Sequence, residues 1–111
     1  MIYRITNQAD WSIANAVGHF ASNDLAAEGF IHCSELTQIL RTANKYFGAA
    51  NELVLLQIDE ALLGNALVRE DLQGSGVFPH VYAAVPLAAI VSVHTMGRDA
   101  AGVWVLPGML V

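Results

Sequence analysis

Two strings hold the residue types best suited to chemistry: Gly29-Phe30-Ile31-His32-Cys33-Ser34 and Phe78-Pro79-His80-Val81-Tyr82. Each sets a histidine inside an apolar, strand-like run. In an extended chain, residues two apart share a face. His32 and Ser34 are therefore predicted on one side, with Ile31 and Cys33 on the other. His80 and Tyr82 likewise share a face, opposite Val81. Two such strands could line one cleft with imidazole, hydroxyl and phenol groups. Imidazole is the side chain that most readily gives or takes a proton near neutral pH. Glu70, at the end of an apolar segment, is a third candidate, able to polarise a ribose hydroxyl or to act as a base. Each residue also has a plainer reading. His32 could bond a carbonyl, Ser34 could cap a helix, Tyr82 could pack on a helix, and Glu70 could be a solvated loop carboxylate.

Other chemistries have weaker signals. His32, His80 and Glu70 could supply three ligands to a catalytic zinc. No His-Glu-x-x-His or paired Cys-x-x-Cys spacing accompanies them, so no metal is expected. Cys33 with His80 as base would make a nucleophile pair. Alternation turns Cys33 toward the core, where a thiol is inert. Gly74-Ser75-Gly76 lacks the lysine and following helix of a phosphate-binding loop. His19 and His94 are expected at the surface.

The elements that must position these residues read as follows. Ile2 to Thr6 is a strand. Asn7 caps a helix over about Gln8 to Val17, with Ala9, Ile13, Ala16, Val17 and Phe20 as the expected buried stripe, and Gly18 ends it. His19 to Glu28 is polar and irregular. The strand Phe30 to Cys33 follows, and Ser34 is placed to cap a second helix whose buried face is Leu36, Ile39, Leu40, Ala43 and Phe47. Glu52 to Asp59 is a central strand, Glu60 to Gly64 a helical turn, and Ala66 to Glu70 another strand. Asp71 to Val77 is a glycine-containing loop. Strands follow at Phe78 to Tyr82, Ala88 to His94 and Val103 to Leu106. Strands and helices mix without βαβ alternation, which argues an α+β fold.

The 111 residues fit one domain, residues 1–111, with 55% hydrophobic and 14% charged residues. Disorder is excluded by that apolar content. The apolar surplus suits a pocket lining or a homo-oligomer contact. Val81 to Val93, broken by Pro86 and Ser92, is too short for a helical span of ~20 residues, so no membrane partner is expected. The start of the chain lacks the pattern of a secretory signal, and the single cysteine fits a reducing compartment. A cytoplasmic protein is the expectation. The net charge is -5, and Arg4, Arg41, Lys45, Arg69 and Arg98 are scattered in sequence. No nucleic-acid partner is expected without a basic stripe. One small anionic ligand remains compatible with an arginine beside a helix N-terminus.

Nearly the whole chain resembles DUF952, a family of small bacterial proteins of unknown function. The likeness rests on an N-terminal Ile-Tyr strand, Trp11, and Leu25-Ala26-Ala27-Glu28-Gly29-Phe30-Ile31-His32-Cys33-Ser34. It continues through Gln38, Asn44, Leu53-Val54-Leu55-Leu56-Gln57-Ile58-Asp59, Glu70, and Phe78-Pro79-His80-Val81-Tyr82. Three positions depart from the family's usual pattern: Ala83 stands for glycine, Arg69 for an aromatic residue, and Asp24 for serine. The resemblance implies an ADP-ribosyltransferase-like fold, two small antiparallel half-barrel sheets set across each other with flanking helices. Enzymes of that fold bind NAD between the sheets. The resemblance therefore implies His32 as a ribose contact and Glu70 as a catalytic carboxylate. Ser34, His80 and Tyr82 are implied as further ligand contacts, with Tyr82 as an aromatic wall, and NAD as the cofactor or substrate. The alternatives are a non-catalytic binding or regulatory module on the same fold, a structural dimerisation unit, and RNA 2'-phosphotransfer. The last is disfavoured by the few cations.

Overall fold

The computed structural model describes residues 1–110. Its architecture is α+β, and every strand pairing is antiparallel. The strands are β1 (Ile2–Thr6), β2 (His19–Phe20), β3 (Ile31–His32), β4 (Leu53–Ile58), β5 (Leu67–Glu70), β6 (Phe78–Val81), β7 (Val85–Pro86), β8 (Ile90–Arg98) and β9 (Trp104–Val105). The helices are α1 (Gln8–Val17), α2 (Asn23–Glu28) and α3 (Ile39–Tyr46). A large sheet has the order β1-β4-β8-β9, a small one β3-β6-β5, and β2 pairs with β7.

The large sheet is the scaffold. Alternation along β4 sends Val54, Leu56 and Ile58 into one apolar cluster with Ile2, Phe20, Ile31 and Val81. Leu53 and Leu55 enter a second cluster, against Ile39 and Ala43 of α3, Met96 and Trp104. Both faces of β4 are thus buried, as a central strand requires. Arg98 closes the second cluster. It donates to the carbonyls of Gly48 at 2.8 Å and Gly102 at 2.7 Å, and its guanidinium lies 3.9 Å from the centroid of the Trp104 ring system.

Helix α1 has the expected limits. The Asn7 side chain accepts from the Asp10 amide at 2.8 Å, and Gly18 takes the left-handed conformation that a C-cap glycine permits. Its buried face differs from the expected stripe. Ile13 and Val17 are 61% and 58% exposed, while Ala14 is buried and Trp11 packs beside it. Ala14 and Trp11, not the bulkier Ile13-Val17 row, are the residues of this helix that meet the core.

Residues 19–28, expected to be irregular, hold β2 and α2. Gly29, with φ 88°, stops α2 and turns the chain into β3. Ser34 caps no helix. Its backbone pairs with Tyr3 of β1, and Glu35 instead caps the 3-10 turn Leu36–Gln38 that leads into α3. Glu35 and Gln38 form a reciprocal capping box there. Strand β8 runs on to Arg98, beyond the expected end at His94. Among the described residues, no helix is long and apolar enough to cross a membrane.

Candidate functional site

Strand β6 is the centre of the small sheet. Its register sets His80 directly opposite His32 of β3, and the two rings lie edge to face with centroids 5.6 Å apart. Ile31 and Cys33 point the other way, into the core. Burial pushes the Cys33 thiol up to about 12, so this cysteine is no nucleophile near neutral pH.

Each imidazole is held by a carboxylate. Asp24 Oδ2 meets His32 Nδ1 at 2.9 Å, and Glu70 Oε2 meets His80 Nδ1 at 2.7 Å. Burial works to raise the Asp24 carboxyl. Hydrogen bonds from the His32 amide and the Ser22 hydroxyl, with the Arg4 charge, outweigh it and hold Asp24 well below the usual carboxylate range. The hydrogen bond from the Tyr82 hydroxyl, then that from His80, lowers Glu70 in the same direction. An ionised carboxylate can only accept. Nδ1 therefore carries a hydrogen in both rings, and His32 Nε2 stands 3.6 Å from Glu28 Oε2, a second carboxylate of the same cleft.

Asp24 is the hub that the sequence reading missed. Its Oδ2 accepts from Arg4 Nη1 at 2.7 Å and from the His32 amide at 2.9 Å, besides the ring. Its Oδ1 accepts from the Ser22 hydroxyl and the Leu25 amide. Arg4 reaches there from the large sheet and also donates to the His32 carbonyl at 2.9 Å. Its Nε is buried and has no hydrogen-bond partner among the described residues. The available sequence signal was Asp24 itself, an acid just ahead of the histidine string. Phe30 was also missed. Its ring stacks on His80 with centroids 4.2 Å apart and lies 4.7 Å from the centroid of His32.

These groups face a cleft of about 500 Å³. His32, Ser34, Glu70 and His80 all line it, together with Arg4 and Asp24. Tyr82 does not. Strand β6 ends at Val81, and the Tyr82 phenol turns to Glu70 instead of forming an aromatic wall. The aromatic lining comes from Phe30, Tyr46, Phe47 and Phe78. Alternation did place Tyr82 with His80, since both donate to the same Glu70 oxygen. The charged lining is Arg4 against Asp10, Asp24, Glu28 and Glu70. A cleft with that balance favours positive charge developing on a ligand. Among the described residues, no group of three or more His, Cys, Asp and Glu side chains is arranged to hold a metal ion.

The remaining candidates are structural. His94 Nε2 meets Gln57 Oε1 at 3.0 Å across the large sheet, and His19 is exposed on β2. Arg69 bridges Glu35 and Glu60 at 2.8 and 2.9 Å.

A family model described as a protein of unknown function (DUF952) matches residues 5–93. Among solved structures, the chain is similar to the protein CC0527 from Caulobacter crescentus. A crystal structure of that protein is 39% identical with TM-score 0.86, the match covering 98% of this chain and 96% of the other. Its solution NMR structure, also 39% identical, has TM-score 0.79 over 92% and 89% of the two chains. No curated protein matches.

Proposed function

The chain belongs to the DUF952 family, and we propose that its cleft binds a nucleotide-like small molecule, with NAD the leading candidate, for ADP-ribosyl-transfer-type chemistry on an ADP-ribosyltransferase-like fold. The observation that carries this reading is the pair of cross-strand histidines. Both line one cleft, and each is anchored at Nδ1 by its own carboxylate. A volume of about 500 Å³ is of the size that small-molecule sites have.

In this reading His32 Nε2 bonds a ribose hydroxyl beside Glu28, whose Oε2 lies 3.6 Å from that nitrogen. Glu70 spends Oε2 on His80 and Tyr82, which leaves Oε1 for the sugar. In the step, the bond between the ribosyl C1' and the nicotinamide nitrogen breaks, and nicotinamide leaves with the bonding pair. The sugar passes through an oxocarbenium-like state, whose positive charge the acidic lining stabilises. An acceptor oxygen, from water or a hydroxyl group, then forms the new C1'–O bond. Its proton passes to Glu70 or, through solvent, to the bulk.

Calorimetric titration with NAD, ADP-ribose and nicotinamide, together with a nicotinamide-release assay, tests the reading. NAD is expected to bind, and His32→Ala to weaken it about tenfold, the value of one lost hydrogen bond to a polar ligand. Nicotinamide release that survives both His32→Ala and Glu70→Ala would remove the catalytic assignment of these two residues, and NAD binding without release by the wild type would leave a binding module. Absence of heat with all three compounds would remove the ligand class.

A further inference from the structure

Beside the cleft lies a smaller hollow of about 130 Å³, between α3 and the 71–77 segment. The two spaces share Thr42, Tyr46, Ser75 and Phe78, so one extended ligand can occupy both. The other two residues of the hollow are Arg41 and Lys45. They stand four apart on α3 and therefore on one face of the helix.

These two cations are the ones the fold leaves unspent. Among the described residues, Arg4 is paired with Asp24, and Arg69 with Glu35 and Glu60. Arg98 is consumed by main-chain carbonyls, including those of Gly48, Ala50 and Gly102. Arg41 makes one 3.2 Å bond to the Ser75 carbonyl and stands 5.4 Å from the Phe78 ring centroid. Lys45 stands 5.1 Å from the Tyr46 ring centroid. Neither forms an ion pair among the described residues. A chain of net charge -5 thus gathers its two free cations at the lip of its acidic cleft. Such a field repels an anion from the floor and draws it to the lip.

We infer that this hollow is the phosphate subsite of the ligand. Arg41 and Lys45, with the Thr42 and Ser75 hydroxyls beside them, take the phosphate chain of a ribosyl nucleotide whose sugar lies against His32 and His80. Arginine matches phosphate oxygens in a fork and lysine as a point charge. The inference rests on the ribosyl-binding reading of the cleft. It narrows the ligand class to phosphorylated ribosides and excludes the free nucleoside as the preferred ligand.

The test compares NAD with nicotinamide riboside, which keeps the pyridinium and ribose but has no phosphate. Calorimetry is run on the wild type, on Lys45→Gln, and on Arg41→Gln/Lys45→Gln. The wild type is expected to bind NAD at least about tenfold more tightly than the riboside, as charge-assisted bonds to phosphate imply. The double variant loses that preference while its riboside affinity stays within about twofold of wild type. Lys45→Gln alone, which removes no hydrogen bond within the described residues, weakens NAD several-fold. Equal binding of both compounds by the wild type, or a double variant that keeps its preference for NAD, overturns the phosphate subsite and leaves the cleft reading standing. A parallel loss of both compounds in the double variant also overturns it, since a structural role moves both alike. Failure of NAD to bind the wild type overturns the subsite, and failure of both compounds removes the cleft reading with it.

Discussion

The two main sheets share a plan and differ in what they bury. Each is antiparallel with its central strand flanked on both sides, β4 in the large sheet and β6 in the small one. Along β4 the buried side chains are aliphatic on both faces. Along β6, one face buries Val81 in the core while the other buries His80, 6% exposed, against Glu70. An aliphatic strand is stabilised by volume and tolerates any neighbour that fills space. A buried imidazole is tolerated only with a partner in the right place. Packing therefore holds the large sheet, while specific partners hold the small one.

Substitutions that separate volume from partnership sharpen this contrast. Leu56→Ala, at a fully buried position of β4, is expected to cost roughly 2–5 kcal/mol, seen as a lower thermal midpoint. Ligand binding by the fraction still folded should be unchanged. Asp24→Ala strips partners from Arg4 and His32 together. It should cost about 2 kcal/mol, seen as a lower urea midpoint at an unchanged m-value. A wild-type midpoint in that variant would break the idea that partners hold the small sheet.

Acid should act through the same hub. The unfolded chain binds a proton at Asp24 near the ordinary value of 3.8, and the folded chain does so only at lower pH. The hub's contribution is therefore fully present above that pH and is lost as pH falls below it. Asp24→Asn should flatten the stability curve over that acid limb in urea titrations at stepped pH. At the opposite limb, the hydrogen bond to Glu70 raises Tyr82 above its ordinary value of 10.0. Absorbance titration of Glu70→Gln should show one tyrosine returning toward that value. The smallest effect belongs to Ile13→Ser. At an exposed site of α1 it should alter stability by less than about 0.5 kcal/mol, whereas a buried stripe there would have made it one of the worst substitutions.

That helix shows how far local pattern reaches. Its ends were legible because Asn7 and Gly18 act on their immediate neighbours. Its rotation was not, because the contact that fixes it is Ala14 meeting a sheet formed from distant segments. The same distinction runs through the site. Alternation places His32 opposite Cys33 and pairs His80 with Tyr82, since that rule needs only the adjacent residues. The cross-strand pairing of His32 with His80, and the reach of Arg4 to Asp24, depend on segments far apart in the chain. Residues 19–28 looked irregular because β2 is two residues long and its partner is β7. Arg41 and Lys45 seemed scattered cations until α3 and the 71–77 segment set them over one hollow.

The run from Ile31 to Ser34 belongs to both sheets. Ile31 and His32 pair with β6, the Cys33 amide donates to the Pro79 carbonyl at 3.0 Å, and Ser34 exchanges backbone bonds of 2.7 and 2.9 Å with Tyr3. Main-chain bonds that stitch the two sheets resist their swinging apart to admit a guest. Residues 71–77 are tied to α3 and its approach by the Arg41 bond to Ser75 and the Gln38 bond to Val77. The rates of ligand uptake and release are therefore expected to respond to changes in those two tethers.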